Sequence, residues 1–184
     1  MRRTLPLLIL ILIASFLCPS CQGASSPPPA AEAVLSAMQA VMVRTAQPLP
    51  EGLIYSRVAA AEAPQYLTDT FLTALYGRAA EGLLTAENGS GRVASVGDAA
   101  MFLSVAPYPC ELAVFRCSDT DVVPTVVSLC RGRLDTVARG FAETKWESAA
   151  QGIVATEGCF VFLIIAEDPE AVAEGARAAL VGMR

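Results

Sequence analysis

Residues 159–170 read Cys159-Phe160-Val161-Phe162-Leu163-Ile164-Ile165-Ala166-Glu167-Asp168-Pro169-Glu170. From Phe160 to Ile165 the odd and the even positions are both apolar. A strand built from this stretch has no side that can face water, so the spacing predicts a central strand. The character of the chain then changes within three residues. Asp168 offers an N-cap oxygen, Pro169 fits the first helical position, and Glu170 sits at the positive end of the helix dipole. A helix follows to about Gly182, with Val172, Ala176, Ala179 and Leu180 on its packing side. Just upstream, Gly152–Ala155 predicts a neighbouring strand, joined through the turn residues Thr156-Glu157-Gly158.

Before this hairpin comes the clearest helical period in the chain. Val123, Val127, Cys130, Leu134, Val137 and Phe141 recur every three or four residues, one apolar face over five turns. Asp119, Thr120 and Asp121 supply capping oxygens, and Pro124 falls in the first turn, where no backbone bond is lost. Two further strands are predicted at Met101–Val105 and Glu111–Cys117, around the turn Pro107-Tyr108-Pro109. Glu32–Val43 and Ala63–Gly77 have helical spacing, and Gly52–Tyr55 reads as a short strand. Asn88-Gly89-Ser90-Gly91 reads as a loop. The expected class is α+β, with a small, mainly antiparallel sheet and helices on one face. The order is β-β-α-β-β-α, of ferredoxin-like character, preceded by one or two helices.

The N-terminus has its own logic. Arg2 and Arg3 precede an apolar run from Leu5 to Leu17, about 13 residues and short of the ~20 a spanning helix needs. Small and turn-forming residues follow. This is the order of an export signal, assigned to residues 1–23. Two readings of its end stand side by side, with an uncleaved anchor as a third: lipidation of Cys21, with Ser20 as the small residue before it, or plain cleavage after Gly23. Residues 24–33 are rich in Ser, Pro and Ala and read as an extended tether. One domain is expected over 34–184.

Composition narrows the chemistry. The 184-residue chain has a formal charge of −5, which becomes −7 once the two arginines of the export segment are removed. An acidic domain with one lysine, Lys145, has no electrostatic footprint for nucleic acid or anionic lipid. Arg131, Arg133 and Arg139 form the one basic cluster and are expected on a solvated helix face. Membrane contact is expected only through lipid at Cys21. The chain has no histidine, which removes Ser-His-Asp and Cys-His catalysis and His-ligated metals. No cofactor, metal or catalytic set is assigned.

The remaining candidates are few. Four cysteines follow the signal: Cys110, Cys117, Cys130 and Cys159. They allow three pairings, and an exported context permits disulfides, so Cys117, Cys130 and Cys159 are candidates for one bridge. The plainer reading makes them small core fillers. Glu111 begins a strand and can pair with Arg133 or face water. Asp119 and Asp121 read as cap residues rather than a catalytic pair. Trp146, Tyr108 and Tyr76 are aromatic candidates for a ligand groove, with Trp146 and Tyr108 as the candidate binding surface.

The stretch Tyr108–Phe115, the helix around Arg133-Leu134, and Gly158–Ile165 followed by Asp168 resemble a family of bacterial exported proteins catalogued as domain of unknown function 4358. Leu75-Tyr76-Gly77 is similar to a short motif often seen there. The resemblance spans about Leu35 to Leu180. It implies a lipoprotein-type anchor and attaches no activity. The functional expectation is therefore a non-enzymatic binding module at the cell surface, recognising a protein or a small ligand. Two alternatives stand beside it: a hydrolase or transferase running on carboxylates such as Glu111 and Glu157, and an envelope protein that self-associates through its sheet edge.

Overall fold

The computed structural model describes residues 29–84, 95–105 and 107–183. The export segment with Cys21, the tether up to residue 28, and the Asn88–Gly91 loop lie outside them. Strands β1 (Gly52–Ser56), β2 (Val96–Ser104), β3 (Glu111–Cys117), β4 (Gly152–Glu157) and β5 (Phe160–Ile165) form one sheet in the order β1-β2-β3-β5-β4. Every neighbouring pair is antiparallel. Four helices pack on it: α1 (Ala31–Arg44), α2 (Asp69–Tyr76), α3 (Val123–Phe141) and α4 (Pro169–Gly182). The class is α+β.

β5 is central, between β3 and β4, and all six of its residues are buried. That burial corrects the expectation of helices on one face only. The even-numbered residues Phe160, Phe162 and Ile164, with Leu112 and Val114 of β3, pack against Leu35, Met38 and Met42 of α1 and Val172 and Ala176 of α4. The odd-numbered residues Val161, Leu163 and Ile165, with Ala113 and Phe115, pack against Leu72 of α2 and Val126 and Cys130 of α3. A strand without a polar side has to be roofed twice. Burying each of its side chains contributes about 1.5–3 kcal/mol, so an unroofed face would forfeit an amount comparable to a domain's whole net stability of about 5–15 kcal/mol.

From β2 onward the elements run β2-β3-α3-β4-β5-α4, the expected β-β-α-β-β-α order, preceded by α1, β1 and α2. Helix α3 is the crossover that carries the chain past β5 to the far edge. Two boundaries differ. The second helix starts at Asp69 rather than Ala63, because Tyr66 bridges Ser56 in extended form and the Thr68 hydroxyl accepts the Phe71 N–H at 3.1 Å to begin the helix. Helix α1 starts at Ala31, within the stretch assigned to the tether. Its N-cap residue, Ala30, has no side chain to offer. Asp98 of β2 reaches across and accepts the Ala31 N–H at 2.8 Å, capping the helix from the sheet.

Helices α1 and α4 run side by side, and Gly175 lies where a Cβ would collide with the Cγ2 of Val41. Gly175→Ala should therefore destabilise the domain by about 1–2 kcal/mol, despite alanine's better helix propensity. Adding Val41→Ala should recover part of that loss. Denaturant melts of the two single variants and the double variant check this.

Candidate functional site

The site begins in the β2–β3 connection. The Ser104 hydroxyl donates to the Tyr108 carbonyl, and the Ser104 N–H donates to the Cys110 carbonyl at 3.1 Å. These bonds close the Pro107-Tyr108-Pro109 turn and fix the start of β3. Glu111, the first residue of β3, then falls on the α2/α3 face by strand alternation. A carboxylate there needs partners, and two helices supply them. Arg133 of α3 donates through Nε at 2.9 Å and Nη2 at 2.8 Å, both to Oε2. Tyr76 of α2 donates its hydroxyl to Oε1 at 3.3 Å. The Tyr76 ring stands edge-on to Phe115, with centroids 5.7 Å apart.

Glu111 is 4% exposed, and the Arg133 side chain is 20% exposed. Burial therefore dominates the carboxyl. It pushes the Glu111 pKa above the ordinary range, while the Arg133 and Tyr76 hydrogen bonds pull against it. Burial, followed by the Glu111 charge, pushes the Tyr76 phenol well up. The pair ends in a cleft of about 230 Å³ whose apolar walls are Leu103, Val137, Phe141 and Ile165. Cys110 also lines this cleft, and burial pushes its thiol up to about 12. It is no thiolate nucleophile at neutral pH.

Tyr108 also lines the cleft, while the other residues singled out from the sequence fall elsewhere. Arg131 and Arg139 are exposed as expected, whereas Arg133 turns inward to Glu111. Glu157 pairs with Phe160 at the far end of β5, while Glu111 pairs with Ile165. Five residues of strand, roughly 17 Å, keep the two carboxylates apart. Asp119 accepts the Asp121 N–H at 3.1 Å and opens a short 3-10 turn, which makes it a cap. Its exposed carboxyl is held below the usual value, chiefly by that N–H.

Tyr108 and Trp146 do meet, edge to face at 5.1 Å. Tyr108 is nearly buried, with its hydroxyl donated to Glu167 at 3.1 Å, and it packs on the α1/α4 core. Lys145 lies over the Trp146 ring at 4.7 Å. The four cysteines are free thiols. Cys117, Cys130 and Cys159 gather on the α2/α3 side, and Cys110 belongs to the other core.

Sequence reading paired Glu111 with Arg133 but had only an apolar role and a groove role for Tyr76, and it missed Asp98. No local pattern announces either contact. Each joins elements far apart in the chain. Among the described residues, no His/Cys/Asp/Glu group could hold a metal ion, and no helix is long and apolar enough to cross a membrane. Compared with known proteins, the chain matches no family, no curated protein and no solved structure.

Removing one partner strands the other. Arg133→Met should cost about 2–4 kcal/mol, more than Glu111→Ala, because a stranded Arg133 can reach solvent and a stranded Glu111 cannot. The sign of the pH dependence follows from the raised carboxyl. The folded state holds the Glu111 proton more tightly than the unfolded chain does. Stability relative to Glu111→Gln should therefore fall as pH rises from about 4 through the raised value. Thermal melts of both proteins across that range check it.

Proposed function

We propose that this chain is an exported, non-enzymatic binding domain that uses the Glu111–Arg133 cleft to hold a small ligand or a side chain of a partner protein. The observation that carries this reading is the way the polar pair is already committed. Oε2 is held by two guanidinium donors and Oε1 by a phenol. A carboxylate fixed in this way serves recognition better than proton transfer. Among the described residues no second carboxylate lines the cleft, and the whole chain lacks histidine. The space of about 230 Å³ is below the 300–1,000 Å³ of drug-sized sites, and suits one group rather than a whole substrate.

Export rests on the charged-then-apolar order of residues 1–23, with lipid on Cys21 or plain cleavage as its two outcomes. The geometry supports a domain that presents its cleft outward. Ala31, where the chain enters the fold, is tied to Asp98 near the start of β2 and lies on the α1/α4 face. The cleft lies past the other end of β2 and β3, on the α2/α3 face. The length of β3 alone, roughly 20 Å, separates the two ends. The described chain therefore enters the fold at the end away from the cleft. Membership of the exported family resembled in the sequence belongs to the same proposal.

The carboxylate-enzyme reading draws on the raised Glu111 pKa, a trait common in active sites. It lacks the second carboxylate such chemistry uses.

Intact-mass analysis of protein recovered from its native cells should find an N-terminus at or after Cys21, with diacylglycerol on that residue if it is lipidated. An unprocessed chain in the soluble lysate would end the export reading. For the cleft, a fragment library screened by amide chemical shifts should perturb residues around Glu111, Arg133 and Val137. Val137→Trp, which fills the cleft, should abolish those shifts. Hydrolysis of ester or phosphodiester probes that disappears in Glu111→Gln would overturn the non-enzymatic assignment.

A further inference from the structure

We propose that Cys117 and Cys159 form an oxidisable pair that closes into a disulfide, with Cys159 as the thiol of entry. The ladder between β3 and β5 sets the geometry. Arg116 opposes Phe160, so one step further along Cys117 opposes Cys159. The Cys117 N–H donates to the Cys159 carbonyl at 2.8 Å and holds the two backbones together there. Opposed residues of an antiparallel pair have Cα atoms about 4.5–5.5 Å apart. A disulfide spans about 4.4–6.8 Å. Both side chains also share a face. Cys117 continues the row Ala113, Phe115, and Cys159 precedes Val161 and Leu163, all against the α2/α3 core.

The other cysteines are worse placed. Cys110 belongs to the opposite core. Cys130 approaches the pair from α3 but is fully enclosed, with no exposed surface for a reagent to reach. Cys159, by contrast, is half-buried at the tip of the β4–β5 hairpin. Gly158 precedes it at φ 56°, a left-handed turn position that glycine occupies at little cost. The pair depends neither on the cleft nor on export.

The oxidant is a donor disulfide, RSSR, from a small thiol or an oxidoreductase. The Cys159 thiolate attacks one donor sulfur. The donor S–S bond breaks, and RS⁻ leaves and takes up a proton. The Cys117 thiolate then attacks Sγ of Cys159 and expels the second RS⁻. Two electrons and two protons pass from the cysteines to the donor, giving two RSH. Burial pushes the Cys117 thiol up to about 11, so the second step quickens as pH rises.

Purified full-length protein treated with oxidised glutathione at mildly alkaline pH, then digested without reduction, tests this by peptide mass mapping. The expected product is a Cys117–Cys159 linked peptide, with the melting temperature raised by about 10 °C. Cys130→Ala should still form the link. Cys117→Ala should stop at a glutathione adduct on Cys159. A link that uses Cys130 or Cys110, or a wild-type protein that keeps the Cys159 adduct without closing, overturns the proposal. The wild-type map decides this even if a variant fails to fold.

Discussion

Strand β5 has no polar side, and the architecture follows from roofing it twice. Its six residues are buried among two separate sets of side chains. Placing it at an edge, or leaving one face to solvent, would forfeit apolar burial on the scale of the domain's net stability. The chain answers with β3 on one side, β4 on the other, and a pair of helices over each face. Helix α3 has to cross from β3 to the far edge so that β5 can return between them. The tight β4–β5 turn at Gly158-Cys159 follows from that return.

The same constraint shapes the polar site. Glu111 stands at the first position of β3, in register with Ile165. Strand alternation sends its side chain to the α2/α3 face, where water is scarce. An unpaired carboxylate in that place would be costly. Arg133 and Tyr76 arrive from different helices to satisfy it. The ion pair thus ties the sheet to both helices of that layer at one point, and leaves a guanidinium edge and an apolar wall facing a small cleft. Nothing in this arrangement frees a base, and the functional reading as a recognition site follows from that.

Asp98 plays a comparable part at the opposite end. Ala30 cannot cap α1, yet the helix begins there because a strand residue 67 positions away accepts its first N–H. The two carboxylates, one on each face and one at each end of the sheet, anchor the helical layers by polar contact. The apolar cores supply most of the adhesion.

Much of the fold was legible in the sequence because its signals are local. The uniform apolarity of Phe160–Ile165, the three-four period of Val123–Phe141 and the Asp168-Pro169 start each fix an element through its own backbone geometry. The pairing of Glu111 with Arg133 was also within reach, since a buried carboxylate at a strand start calls for a cation and few cations are present. What the sequence could not decide was every choice between elements: which face each helix covers, that Asp98 caps α1, that Tyr76 completes the Glu111 cluster, and that Cys117 opposes Cys159. Such contacts cost nothing to write in a linear string and leave no period or motif there. They are settled only when strand register and helix placement bring distant residues within about 3 Å of each other.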